Sequence, residues 1–171
     1  MTNVRSLKLS AAMGVALALQ IPHFAAAQNT PPPPPPVPVD EVPFTIPANS
    51  AFYACKFDLQ VQYSGKGATV TLPGRGFVTI AISPGLTVKL TNLSNTKMTT
   101  ILNITGTIKT STDKYGNTIL MMNGRNLVGD PGQPGLVLTV GNFNFVYDKY
   151  GVPVTLLNGT GQIISICSLL A

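Results

Sequence analysis

The sequence predicts an all-β domain: a single antiparallel β-barrel of about eight or nine strands, with a β-sandwich as the alternative. Three observations predict it. Apolar and polar residues alternate with period two in several short runs. Clusters of Gly, Pro, Asn and Asp punctuate those runs at short, regular spacing. No segment sustains the 3.6-residue period of an amphipathic helix. The barrel is the preferred form because closure removes open strand edges, which an exported apolar chain must avoid.

The first strand is expected over residues 53–63. There Cys55, Phe57, Leu59, Val61 and Tyr63 share one face, and Lys56, Asp58, Gln60 and Gln62 share the other. Val70 and Leu72 mark a second strand ended by Pro73-Gly74. Val78, Ile80 and Ile82 line a third, closed by the turn Ser83-Pro84-Gly85. Leu86, Val88 and Leu90 line a fourth. A longer strand is expected over 98–110, with Gly106 as a bulge or bend. Further strands are expected over 118–122, 136–147, 152–157 and 162–168. Gly141 suggests a bulge in the long one, and Gly159 and Gly161 suggest a sharp bend before the last.

The chain has 171 residues, and not all of them belong to that domain. Residues 1–27 read as a signal peptide: Arg5 and Lys8, an apolar stretch, then Ala25-Ala26-Ala27 before Gln28. Gln20, Pro22 and His23 interrupt the apolar stretch, so it falls short of a membrane span. Residues 28–43 read as a Pro-rich linker. Six consecutive prolines, Pro31 to Pro36, fix φ and offer no amide donors, which favours an extended polyproline II spacer. A docking ligand for a proline-binding groove is the competing reading. Residues 44–171 are the β domain. The expected location is secreted and extracellular, with no membrane span in the mature protein.

Composition narrows the chemistry. Charged residues are 10% of the chain and apolar residues 44%, and the mean hydropathy is +0.29. There is no Trp, and the single His, His23, lies in the expected signal peptide. A mature chain without His cannot build a Ser-His-Asp or Cys-His site, and it lacks the usual zinc ligands. No phosphate-binding or dinucleotide-binding glycine motif occurs. The expectation is therefore no catalytic residue, no metal and no cofactor. From Phe44 onward nine basic residues outnumber four acidic ones, but they are scattered singly. That spacing argues against a nucleic-acid partner.

Cys55 and Cys167 are the only cysteines. An even count in an exported chain predicts one disulfide, tying the first strand to the last. Close spacing of the redox type is absent. Asp113-Lys114-Tyr115-Gly116 and Asp148-Lys149-Tyr150-Gly151 form a weak internal repeat. Each reads as a hairpin tip, with Asp bonding the backbone two residues on and Gly accepting positive φ. Tyr115 and Tyr150, beside Lys114 and Lys149, suit a sugar, a lipid head group or a protein partner. The competing reading folds each ring over its own hairpin.

Gly124-Arg125-Asn126-Leu127 and Asp130 are expected in the longest glycine- and proline-rich loop. Arg125 there is either an anion clamp or the partner of Asp130. An enzyme using Asp58, Asp130 and Arg125 is the least favoured alternative. A barrel interior holding one small apolar ligand is another. Asn92, Asn103 and Asn158 fit the glycosylation acceptor pattern. Threonines at Thr69-x-Thr71 and Thr105-x-Thr107 are too irregular for an ice-binding ladder.

Cys55-Lys56-Phe57-Asp58, Gly124-Arg125-Asn126-Leu127, Gly141-Asn142-Phe143-Asn144-Phe145 and Gly159-Thr160-Gly161-Gln162 before Cys167 together resemble uncharacterised small secreted microbial two-cysteine β-domain proteins. The resemblance spans about residues 50–171. It implies an exported β domain and no particular activity. The functional expectation is a non-catalytic binding module, acting at a cell or host surface. Its target is a cell-surface glycan, a protein or a small apolar ligand.

Overall fold

The computed structural model describes residues 32–39, 41–50, 54–72, 78–129, 132 and 135–171. The expected signal peptide, Asp130 and part of the Pro-rich segment lie outside the described residues.

The protein is all-β, with two antiparallel sheets and one terminal turn of helix. The strands are β1 (Val37–Pro38), β2 (Phe44–Ile46), β3 (Leu59–Ser64), β4 (Lys66–Leu72), β5 (Val78–Ile82), β6 (Thr87–Asn92), β7 (Thr99–Asn103), β8 (Thr107–Thr112), β9 (Thr118–Gly129), β10 (Leu136–Tyr147) and β11 (Pro153–Ser165). The helical turn α1 covers Ile166–Leu169. The seven-stranded sheet runs β1-β4-β5-β8-β9-β10-β11, and the four-stranded sheet runs β2-β3-β6-β7. No ring of strand pairing closes among the described residues.

The two sheets share three long chain segments, each bent once. β3 and β4 are separated only by Gly65, β5 and β6 by residues 83–86, and β7 and β8 by residues 104–106. The pairing register slips by one residue at the bend. Ser64 faces Thr87 on one side of it, and Ala68 faces Ile82 on the other. One extra residue on one strand kinks the ladder and strengthens its twist. The Ile104 amide donates to the Leu86 carbonyl at 3.0 Å and carries the pairing through the bend.

Beyond this bend β9 leaves its neighbour. Thr107 and Asn123 are the last pair between β8 and β9, after which β9 continues against β10 alone. Glycines line the place of departure. Gly124 faces Gly141, and Gly141 faces Gly161, across three strands. Gly106 lies beside Gly124, its Cα 3.4 Å from where a Gly124 Cβ would stand. Gly141 has φ +141°, and a Cβ there would collide with the Thr160 carbonyl and lie 2.9 Å from the Gly161 Cα. Only glycine tolerates that backbone and that approach.

Before this row β10 is buried on both faces, with odd-numbered Val137 and Thr139 as enclosed as Leu138, and past it only the odd-numbered face stays buried. In β10 the even-numbered Leu136, Leu138 and Val140 join a core cluster with Leu59, Val61, Val88 and Leu90 of the four-stranded sheet. Past the row, odd-numbered Phe143 and Phe145 join Met122, Ile108 and Leu120 in a second cluster. Side chains alternate along a strand, so the two sets point to opposite faces. Gly141 is thus no bulge: the β9–β10 register runs through it unbroken. The β10–β11 irregularities lie instead near Val146.

Other sequence expectations change in the same way. Residues 124–127, expected in a loop, are part of β9. The strands expected over 152–157 and 162–168 are one, with Gly159 and Gly161 inside it rather than at a bend. The strand expected over 98–110 is two, divided at Gly106. Val37–Pro38, inside the expected linker, pairs with Lys66 and Gly67 of β4.

Cys55 and Cys167 form the disulfide. Neither lies in a strand: Cys55 precedes β3 and Cys167 sits in α1. The link therefore ties the entry of the four-stranded sheet to the exit of the seven-stranded one. Gly135 lies directly beneath it, where a Cβ would collide with the Cys167 Sγ. Buried Asn92 completes the closure, donating from Nδ2 to the Leu170 carbonyl at 2.9 Å while Oδ1 accepts from the Ser94 amide.

Replacing Cys55 and Cys167 together by Ala is expected to lower unfolding stability by about 2–5 kcal/mol, because the link spans 112 residues. Denaturant unfolding measures this, and an unchanged midpoint would contradict the closure described. Gly141→Ala is expected to cost at least about 2 kcal/mol. Gly151→Ala, where no atom stands within 4 Å of an added Cβ, costs about 1–2 kcal/mol through its positive φ alone. Equal melting temperatures for the two variants would show that the glycine row does not constrain the sheet.

Candidate functional site: twin hairpin tips

The sequence repeat builds two matched turns. In the first, the Gly116 amide donates to the Asp113 carbonyl and the Asp113 amide donates to the Asn117 carbonyl. In the second, Gly151 donates to the Asp148 carbonyl and Asp148 donates to the Val152 carbonyl. Gly116 and Gly151 take φ +86° and +81°. This is a type I turn followed by a left-handed glycine, a common three-residue hairpin loop.

The aspartates lock the turns from inside. The Asp113 Oδ1 accepts from the amides of Tyr115 at 2.8 Å and Asn117 at 2.9 Å, and Oδ2 accepts from the Asn117 Nδ2 at 2.9 Å. The Asp148 Oδ1 accepts from the amides of Tyr150 and Val152, both at 2.8 Å. Desolvation pushes the Asp113 carboxyl up, but donation from Asn117, Tyr115 and Gly116 outweighs it and holds the group below its ordinary value.

Sheet order brings the tips together. One turn joins β8 to β9 and the other joins β10 to β11, and β9 pairs with β10. Thr118, just after the first tip, faces Tyr147, just before the second. A Cβ on Gly116 would stand 3.7 Å from the Lys149 Cβ, so the loops touch. Beside them lies an open cleft of about 570 Å³, lined by Thr112, Thr118, Leu120, Tyr147, Asp148 and Lys149.

The rings of both tips face solvent: Tyr115 is 71% exposed and Tyr150 78%. The Lys114 Nζ stands 4.9 Å from the Tyr115 ring centre, and the Lys149 Nζ 5.0 Å from that of Tyr150. An exposed cation–ring contact contributes about 0.5–1 kcal/mol. That is enough to bias the lysine over the ring and too little to hold it there against a ligand. Each tip thus offers an aromatic plate, a movable cation and a fixed carboxylate.

The remaining candidate residues are elsewhere or engaged. The Arg125 Nε donates to the Asn103 carbonyl at 2.8 Å, bridging β9 to the end of β7. The Asp58 Oδ1 accepts from the Ala48 amide at 2.7 Å, outside any strand. Asp130 lies outside the described residues, so its pairing with Arg125 or Asp58 is not described. Asn92 is buried with its amide committed to Leu170, unlike the exposed Asn103 and Asn158. Among the described residues no group of three or more His, Cys, Asp or Glu stands where it would hold a metal ion. Among the same residues no helix is long and apolar enough to cross a membrane. The repeat suggests two hairpin tips presented together, but their contact depends on β9 pairing with β10.

Comparison with protein-family models, with curated proteins and with solved structures finds no match.

The Asp113 carboxyl is expected to titrate below the ordinary aspartate value of 3.8. A depressed folded-state pKa contributes stability above the unfolded value, lost as pH falls through the folded value. The first tip should therefore keep its turn through weakly acidic pH and loosen only in stronger acid. NMR titration of the side-chain carboxyl carbon, together with the Tyr115 and Asn117 amides, checks this. In Asp113→Ala stability falls at neutral pH and the acid-dependent part disappears.

Proposed function

We propose that this chain is an exported, non-catalytic binding module that meets a cell-surface glycan through its twin tips. The observation that carries the reading is the contact between two loops that each bear a solvent-facing Tyr–Lys pair, beside an open cleft that Lys149 lines. A tyrosine ring with one face open stacks on the apolar face of a sugar. The hydroxyls of Thr112 and Thr118 and the charged groups of Asp148 and Lys149 suit its polar edges. The sequence reading of residues 1–27 as an export signal, together with the disulfide, supports an oxidising, extracellular setting. We read the body as two layers sharing one core, closer to a sandwich than to a closed barrel.

The other readings draw less support. An apolar-ligand carrier needs an enclosed apolar interior. The clefts of about 320 to 570 Å³ around this molecule open to solvent, and the two core clusters fill with side chains of their own. An enzyme working through Asp58 and Arg125 would have to release both from backbone hydrogen bonds.

A glycan array probed with the mature protein is expected to show retention on a subset of glycans. Tyr115→Ala/Tyr150→Ala should lose about tenfold or more in affinity with an unchanged melting temperature, since neither ring is buried. Retention undiminished in the double variant, or no retention by the wild type on any glycan, overturns the glycan reading.

A further inference from the structure

We propose that β11 is a self-association edge through which two copies pair antiparallel and join their seven-stranded sheets into one. The proposal is independent of the tip reading.

A strand at a sheet edge carries a row of backbone donors and acceptors without partners, and proteins normally shorten, charge or block such edges. The other three outermost strands of the two sheets follow that rule, while β4 past Gly67 and β9 past Asn123 have one neighbour each. β1 has two residues, one of them Pro38. β2 has three and lies between Pro43 and Pro47. β7 has five, with Lys97 just before it and the Arg125 side chain bonded to its last carbonyl.

β11 breaks the rule on every count. It has 13 residues, the longest strand among those described, and it pairs with β10 alone. It contains no Asp, Glu, Lys or Arg, and none follows it to Ala171. Val154 is 56% exposed and Leu156 54%, and residues 158–163 are exposed as well. Pro153, the one residue without an amide donor, stands at its first position.

The occupant this edge fits is a second copy. A strand laid antiparallel against itself is related to its partner by a two-fold axis, so every unpaired donor meets an acceptor of the same row. A register centred on Gly159 pairs the whole strand, setting Leu156 against Gln162 and Thr155 against Ile163 of the other copy. Without residues 1–27 the chain has nine basic and six acidic residues, a net charge of +3, which opposes contact between copies over most of the surface. The uncharged β11 strip escapes that repulsion. Because the axis reverses the strand, the twin tips of the two copies fall at opposite ends of the joined sheet.

Sedimentation analysis of the mature, disulfide-bonded protein over a range of concentrations tests this. The wild type is expected to show a reversible monomer–dimer equilibrium that stops at the dimer. Leu156→Lys and, separately, Val154→Lys should weaken dimerisation about tenfold or more while keeping the wild-type melting temperature at a concentration where both are monomers. Ile101→Lys, on the guarded β7 edge, should dimerise as the wild type does. In hydrogen exchange, β11 amides should gain protection with concentration in the wild type and not in Leu156→Lys. A wild type that stays monomeric, assembly beyond the dimer, or folded β11 variants that dimerise normally would each overturn the proposal.

Discussion

The row of glycines across β9, β10 and β11 is the constraint on which this architecture depends. Six long strands cannot form one flat sheet and also bury a core, because a flat sheet has nothing to pack against. Here the strands pair as a simple meander on one side of the row. On the other side the halves separate and enclose Leu59, Val61, Val88, Leu90 and Leu138 between them. Where β9 leaves β8, Gly106 and Gly124 approach closely, and Gly141 lies against Gly161 in the next pair. In β10 the even-numbered face loses its cover past the row, where Asn142 and Asn144 are exposed, while Phe143 and Phe145 stay buried.

The disulfide works on the open end of the same arrangement. Two layers joined only by bent strands are free to open where the bends are farthest away. Cys55 and Cys167 fasten that end, with Gly135 clearing the space for the sulfur atoms. Ile166 and Leu170, both fully buried, extend the core beneath the link. The buried Asn92 amide bonded to the Leu170 carbonyl then holds the terminal turn in place without leaving a polar group unpartnered. Shape and covalent bond therefore act together, one setting the angle between the layers and the other limiting its opening.

The tips stand apart from both. Their geometry is local: an aspartate that satisfies amides two and four residues on, and a glycine that takes positive φ. Such a loop needs little from the core, and it leaves its lysine and tyrosine uncommitted. The stability of the body and the chemistry of the tips are consequently separable. That is the usual division between a rigid scaffold and the loops it carries.

Much of this was legible in the residues because it rests on short-range rules. The period-two run expected over 53–63 holds β3, though the strand begins only at Leu59, the run at 78–82 falls where β5 does, the Asp-Lys-Tyr-Gly segments are the turns they read as, and the two cysteines are bonded. What misled was glycine. Gly124, Gly159 and Gly161 read as loop and bend, since glycine usually interrupts a strand. Here each lies inside one, answering a crowding that only the partner strand creates. The sequence by itself determined the strands, the turns and the covalent pair, because propensity, alternation and cysteine count act within a few residues or by simple arithmetic. Only the tertiary structure decided which halves pair and which separate, that the two tips touch, and that β11 has a neighbour on one side only, because those facts depend on contacts between segments far apart along the chain.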